Sequence, residues 1–265
     1  MNKIFSSSSL LLVTILFIVG CNAYDKVLKS DDLDYKYDKA KEYYFKKDYY
    51  RALPILEELI ALRKGTKDVE EMTFYYSYSY YGQGSYELAA YHFKKFTETF
   101  PYGVHAEEAL YMYAYCYYVM TPDADLDVSN ADKAIDAFQL FINQYPESDR
   151  VQEANRLIDE SRRVKEEKAL ASAKLYFDIK YYQAATISFK NIIKDFPGIE
   201  EKEQIYFLIL RSNFLLASNS VQSKKLERFQ DSIAAYNDLV ENYPESEYLK
   251  EAVHMYDTAL KFVKK

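Results

Sequence analysis

The chain has no tryptophan, two cysteines, three histidines, six glycines and six prolines in 265 residues. Two cysteines, Cys21 and Cys116, exclude a disulfide-stapled scaffold and a paired-thiol zinc site. His92, His105 and His254 are too scattered to ligate a metal and read as surface or boundary residues. So little glycine and proline leaves few turns for an all-β fold. The N-terminal apolar run, Leu10–Val19 broken only by Thr14, falls short of the ~20 residues that span a bilayer as a helix, even when counted from Ile4. Basic charge is also scarce, since the formal net charge is −7. Residues 1–20 carry only Lys3, so without them 33 basic side chains face 41 acidic ones. That balance argues against general nucleic-acid binding, which needs cations to neutralise phosphates. HExxH, GxSxG, a Walker loop and paired CxxC are all missing. The expectation is therefore a protein that is not an enzyme and holds no cofactor or metal.

What the chain does have is 29 tyrosines. A phenol joins an apolar ring to a hydroxyl that needs water or a partner, so it suits half-buried positions. Many half-buried positions are what a thin two-layer repeat array offers. A repeat is indeed visible. Tyr86, Ala89, Phe93 and Pro101 give a small residue for close packing, an aromatic one turn on, and a proline that stops the helix. Ala134, Phe138 and Pro146 repeat the spacing, Ala185, Phe189 and Pro197 repeat it again, and Ser232, Tyr236 and Pro244 give a looser copy. These alanines and phenylalanines, with the three prolines, are the expected repeat-packing residues. The closing prolines lie 45, 51 and 47 residues apart.

The pattern resembles the tetratricopeptide repeat, in which small and aromatic residues recur on paired helices A and B. Helix A carries Ala40 and Tyr43, Ser77 and Tyr80, Ala114 and Tyr117, Ala173 and Tyr176, and in the loosest unit Ser212 and Leu215. The resulting expectation is an all-α solenoid of about five such helix pairs with a C-terminal capping helix over Glu247–Val263. Thr121–Asn130 and Ala217–Lys225 read as loops, and Glu147–Phe177, free of glycine and proline, as an extended helix. Phe74–Tyr81 and Tyr111–Tyr118 alternate tyrosines with a strand-like period of two. Val69-Glu70-Glu71-Met72 and Glu107-Glu108-Ala109-Leu110 run into them with no turn signal, so both are expected to be helices. Cys116, inside the second, reads as a small buried residue. The acidic pairs Glu57–Glu58, Glu70–Glu71 and Glu107–Glu108 read as solvated helix faces.

Lys3, the apolar stretch after it and Ile18-Val19-Gly20-Cys21 resemble the signal peptide and lipobox of bacterial lipoproteins. That resemblance implies cleavage before Cys21 and a diacylglycerol on its thiol, with acylation of the new amino group as a further chain. The domain expectation is a signal peptide at 1–20, a tether at 21–34 reading through Asn22–Asp34, and one elongated repeat body at 35–265.

Lipobox, tether and repeats together resemble the outer-membrane assembly lipoprotein family BamD. The most specific segments are Phe100-Pro101-Tyr102-Gly103, Ala106-Glu107-Glu108-Ala109, Phe141–Ser148 and Ala173-Lys174-Leu175-Tyr176. The resemblance implies a lipid-anchored, non-catalytic scaffold on the periplasmic side of the outer membrane. Its implied partners are the barrel-forming assembly protein BamA, docked by C-terminal repeats, and nascent outer-membrane β-barrel proteins, met by N-terminal repeats. Tetratricopeptide proteins line their peptide groove with helix A residues. By that register Tyr37, Tyr44, Phe74, Tyr78, Tyr81, Tyr111, Tyr115 and Tyr118 face the groove, while Tyr43, Tyr80 and Tyr117 pack within it. Tyr78→Ala is then expected to weaken partner binding with less loss of fold than a bulky replacement of Ala89. Two other readings of such repeats remain open: a periplasmic adaptor for division or peptidoglycan enzymes, and a ligand-capture lipoprotein of nutrient uptake.

Overall fold

The computed structural model describes residues 23–124 and 127–264. The expected signal peptide, Cys21 and Asn22 lie outside them. Among the described residues the chain is helical and contains no strand. The helices are α1 (Leu33–Phe45), α2 (Tyr49–Leu62), α3 (Val69–Gly82), α4 (Tyr86–Thr99), α5 (Ala106–Val119), α6 (Ser129–Gln144), α7 (Val151–Asp178), α8 (Tyr182–Asp195), α9 (Lys202–Ser218), α10 (Gln222–Asn242) and α11 (Leu249–Val263). Successive helices form the five expected A and B pairs, and α11 is the last helix.

Contacts divide the chain into two compact units rather than the single body expected from the sequence. Unit 1 holds α1 to α6 and α7 as far as Ser161, and unit 2 holds the rest of α7, α8 to α11 and residues 122–128. The long α7 therefore serves two cores. Ala154, Leu157 and Ile158 belong to the core of unit 1, Leu170 and Ala173 to that of unit 2.

The repeat signature explains how the pairs pack. Ala89, Phe93, Ala134, Phe138, Ala185 and Phe189 are fully buried on the B helices. Alanine lets a neighbouring helix approach, and phenylalanine one turn on fills the gap beside it. The prolines behave differently from their assignment as packing residues: Pro101, Pro146 and Pro197 are exposed. Their work is steric, since a proline pushes the residue before it out of the α region. Phe100, at φ −125° and ψ 58°, ends α4 in this way, and Phe196 and Tyr243 end α8 and α10 alike. A turn follows each time, with the Gly103, Ile199 and Ser246 amides donating to the Phe100, Phe196 and Tyr243 carbonyls.

The A-to-B turns also recur. Lys47, Gly84 and Lys180 adopt positive φ, and the next amide in each case reaches back to a carbonyl in the last turn of helix A. This is the left-handed helix stop that glycine makes most cheaply.

Two loop assignments are corrected by the structure. Residues 23–28 are helical, Val27 is buried, and Tyr24 packs edge-on against Tyr43, so this part of the expected tether Asn22–Asp34 is docked on the first pair. The expected loop Ala217–Lys225 is mostly helix, because α9 runs to Ser218 and α10 starts at Gln222. Its serines and asparagine hydrogen-bond to carbonyls four residues back, from Ser218 to Phe214 and from Asn219 to Leu215, so loop-like composition here caps a helix end.

Candidate interaction face

The helix A tyrosines of the first three pairs lie in unit 1, on α1, α3 and α5. Tyr37, Phe74 and Tyr111 are buried, and Tyr44, Tyr78, Tyr81, Tyr115 and Tyr118 are half-buried. The period-two pattern fits a helix because α3 is flanked by α2 and α4, and α5 by α4 and α6. Aromatics on more than one face then find cover.

A phenol taken out of water needs a hydrogen-bond partner. Tyr37 donates to Glu71 at 2.5 Å, Tyr78 to Glu108 at 2.6 Å and Tyr118 to Glu160 at 2.7 Å. Each bond joins one A helix to the next: α1 to α3, α3 to α5, and α5 to the first half of α7. Tyr75 gives Glu71 a second donor at 2.7 Å. Burial, followed by the bond to Glu108, pushes the Tyr78 phenol far above its usual value. Tyr118 is pushed up to about 12, first by its bond to Glu160 and then by burial. Glu71 is lowered in return, chiefly by the hydroxyls of Tyr37 and Tyr75. Cations complete the ladder. Lys41 lies 4.4 Å from the Tyr37 ring centre, and Arg150 lies 4.7 Å from that of Tyr111 while pairing with Glu108 at 3.5 Å.

Several expected groove residues are thus struts between repeats. The hydroxyls of Tyr37, Tyr78 and Tyr118 are engaged, and Phe74 is covered by a stacked His105 at 4.0 Å. Three rings keep a free polar tip, because Tyr44, Tyr81 and Tyr115 hydrogen-bond to no protein group among the described residues. Tyr44 stacks on Tyr75 at 4.4 Å, and Tyr78, Tyr81, Tyr115 and Tyr118 follow one another at 6.2, 6.3 and 5.8 Å. The result is a continuous half-exposed aromatic strip on a hydrogen-bonded frame. Tyr80 stacks on His92, and Tyr117 sits edge-on to Tyr113, as packing residues.

Two acidic pairs are more than solvated faces. Their second members, Glu71 and Glu108, accept the tyrosine hydroxyls described above. Their first members tie down the turn beyond the next helix: Glu70 accepts from the His105 amide and Glu107 from the Ser148 hydroxyl. Glu203 does the same for the Glu247 amide in unit 2. Gly103 leaves room for this approach, because a Cβ there would displace the Glu70 carboxylate. The sequence carried a signal for it, since each pair sits at one fixed distance before Phe74 or Tyr111.

The same anchors correct the register of the fifth pair. Glu203 and Phe207, which stacks on Tyr248 at 4.5 Å, stand as Glu70 and Phe74 do. Carried along α9, this spacing puts Leu210 in the slot of Ser77 and Ala114, and Asn213 in the slot of Tyr80 and Tyr117. Ser212 and Leu215 lie two residues beyond those slots.

Among the described residues no group of three or more His, Cys, Asp or Glu side chains could hold a metal ion. None of their helices is long and apolar enough to cross a membrane.

The sequence profile of the YfiO family, described as outer membrane lipoprotein, matches residues 30–227. The chain belongs to this family. The YfiO match spans all of the aromatic strip and stops inside α10, leaving α11 beyond it. Comparison with curated proteins finds no match. Solved structures similar to the chain include the TPR2AB-domain:pHSP90 complex of yeast Sti1, at 17% identity over 88% of this chain and 84% of that one, with a TM-score of 0.42. The P58(IPK) TPR domain is similar at 14% identity over 91% and 69%, with a TM-score of 0.42. A thermophilic TPR protein of Thermus thermophilus, TTC0263, is similar at 14% identity over 86% and 98%, with a TM-score of 0.35.

Proposed function

We propose that this YfiO-family protein is a BamD-like, non-catalytic scaffold of β-barrel assembly, held by lipid on Cys21 to the periplasmic face of the outer membrane. The observation that carries this reading is the family match over the residues that form the aromatic strip of unit 1. Tyr44, Tyr81, Tyr115 and Tyr118 would grip the apolar side chains of an unfolded barrel segment, and the free phenols of Tyr44, Tyr81 and Tyr115 tolerate sequence variety at their tips. The C-terminal repeats would dock BamA. The mechanism is positional, because a lipid anchor confines scaffold, BamA and client to one surface and raises their effective concentration.

Cross-linking in cells, purification in detergent and identification of the co-purifying proteins tests the reading. BamA and barrel clients are expected; recovery of a transporter or of division enzymes without BamA would overturn it. Cys21→Ala should release the chain from the membrane fraction, and unchanged retention would refute the anchor.

A further inference from the structure

Unit 2 contains a cleft of about 420 Å³, and the repeat register explains its origin. Its walls are α8 and the first turns of α10, and its floor is α9. In the third pair the corresponding seam is filled by tyrosine rings: Tyr113 lies edge-on to Tyr117, with Lys133 5.3 Å from the Tyr117 ring centre and Lys94 6.0 Å from that of Tyr113. In the fifth pair Asn213 occupies the Tyr117 slot, so a ring is missing from the seam. Lys190, which follows Phe189 as Lys94 follows Phe93, lines the opening, as do Lys224 and Asp231.

The floor is polar and built. Thr186 stands where the second pair has the buried Ala90, and its hydroxyl donates to Asn213 Oδ1 at 3.1 Å. Thr186 is 8% and Asn213 7% exposed, so both count as interior groups. With Oδ1 occupied, the Asn213 amide nitrogen has no hydrogen-bond partner among the described residues. The amide lines the cleft, so a ligand acceptor there takes the place of water, a modest net gain. Asp231, Lys190 and Lys224 are exposed at the rim and make no ion pair among the described residues.

We propose that this cleft is a second recognition site, which takes a tyrosine side chain presented by a partner polypeptide. The ring fills the place that Tyr117 fills in the third pair, with Lys190 on the α8 side as Lys94 stands on the α4 side there, and with Asp231 at the position of Lys133. The phenol oxygen accepts from the Asn213 amide, and the phenol O–H donates to the Asp231 carboxylate. Phenol to carboxylate is the pairing that this chain makes three times between its own repeats. The site lies in unit 2 and is separate from the aromatic strip, so it stands or falls independently of barrel-client binding.

The test uses the full chain in detergent, uniformly labelled with nitrogen-15 so that backbone and asparagine side-chain amides are both read, titrated with N-acetyl-L-tyrosinamide. The Asn213 side-chain amide resonances should shift saturably. N-acetyl-L-phenylalaninamide, which cannot accept the amide or donate to Asp231, should bind about tenfold more weakly, and N-acetyl-L-leucinamide more weakly still. Asn213→Tyr should fill the cleft from within, raise the Tm and abolish the saturable shifts in the neighbouring backbone. Asp231→Asn should keep the parent Tm and weaken tyrosinamide binding about tenfold, and it decides the matter if Asn213→Tyr fails to fold. Absence of saturable shifts at Asn213, equal response to the leucine and tyrosine probes, or an unchanged affinity in Asp231→Asn would each overturn the proposal.

Discussion

Tyr78 separates a strut from a grip, and three substitutions decide which it is. Its ring meets Phe74, Phe93 and Tyr81 at 4.9, 5.0 and 6.2 Å, and its hydroxyl reaches Glu108 at 2.6 Å. Tyr78→Phe removes only the hydroxyl bond. A hydrogen bond to a charged group contributes about 1.5–3 kcal/mol when its partners are buried. Glu108 is 39% exposed and keeps Arg150, so its carboxylate can rehydrate and about 1 kcal/mol is the better expectation. In a domain of this size that lowers the Tm by about 3 °C. Tyr78→Ala also removes a ring wedged among three others and should cost about 3 kcal/mol. Glu108→Gln combined with Tyr78→Phe closes a double-mutant cycle, read by thermal and urea unfolding, with a coupling of about 1 kcal/mol. A Tyr78→Phe protein as stable as the parent with no coupling would show the hydroxyl to be solvated. A Tyr78→Ala protein that keeps its Tm but loses its partners would restore the grip that the sequence pattern alone suggests.

Other substitutions address the turns and seams. Gly82→Ala places a Cβ inside the Tyr49 ring, so unfolding should show a loss of about 1–2 kcal/mol even though alanine favours helix. Lys47→Gly, at φ 60°, should gain about 0.5–1 kcal/mol in the same assay, and a loss would mean that the lysine side chain matters more than the backbone. Ser232→Ala removes a buried hydroxyl that has no partner and restores the residue found at Ala89, Ala134 and Ala185, so a gain of about 1 kcal/mol is expected. Alkali should act through the tyrosines. Burial pushes Tyr44 up to about 12, and Tyr118 reaches about 12 through Glu160, whereas phenols of the unfolded chain ionise near 10. A raised folded value means stability that is whole below pH ~10 and lost as pH climbs through 12. Helix loss and phenolate absorbance should then rise together in that window, and smooth ionisation without unfolding would refute the coupling.

Much of the fold was legible because its signals are local. The alanine, phenylalanine and proline spacing marks B helices that pack at one point and stop, and the chain shows all three at fixed intervals. What resisted reading depends on neighbours outside the segment. The residues of 22–34 look like a tether because Val27 and Tyr24 show no period of their own; their apolar partners, Tyr43 among them, lie in the first pair. Ser218 and Asn219 look like loop residues because composition does not tell a side chain that leaves a helix from one that caps it. In the fifth pair Ser212 looked like the small packing residue, and only the link from Glu203 to the Glu247 amide and the stacking of Phe207 on Tyr248 reset the count. The aromatic site was half legible: the sequence located the tyrosines but not the carboxylates that claim their hydroxyls.

Those carboxylates change what the aromatic strip can do. A row of tyrosines held only by apolar contact could turn about their side-chain bonds, and each ring that bound a partner would lose about 0.5–1.5 kcal/mol in ordering. Here Tyr37, Tyr78 and Tyr118 are fixed at ring and hydroxyl, and they stand between helices whose spacing they also set. Tyr81 and Tyr115, packed between the fixed rings of Tyr78 and Tyr118, inherit that order while keeping their own tips free. The strip is therefore pre-organised at the cost of three phenols that no longer offer their hydroxyls to a partner. Discrimination among bound segments must then fall to Tyr44, Tyr81 and Tyr115, so removing those three hydroxyls as Tyr→Phe should alter which segments bind while leaving the Tm nearly unchanged. Removing the three strut hydroxyls should do the reverse.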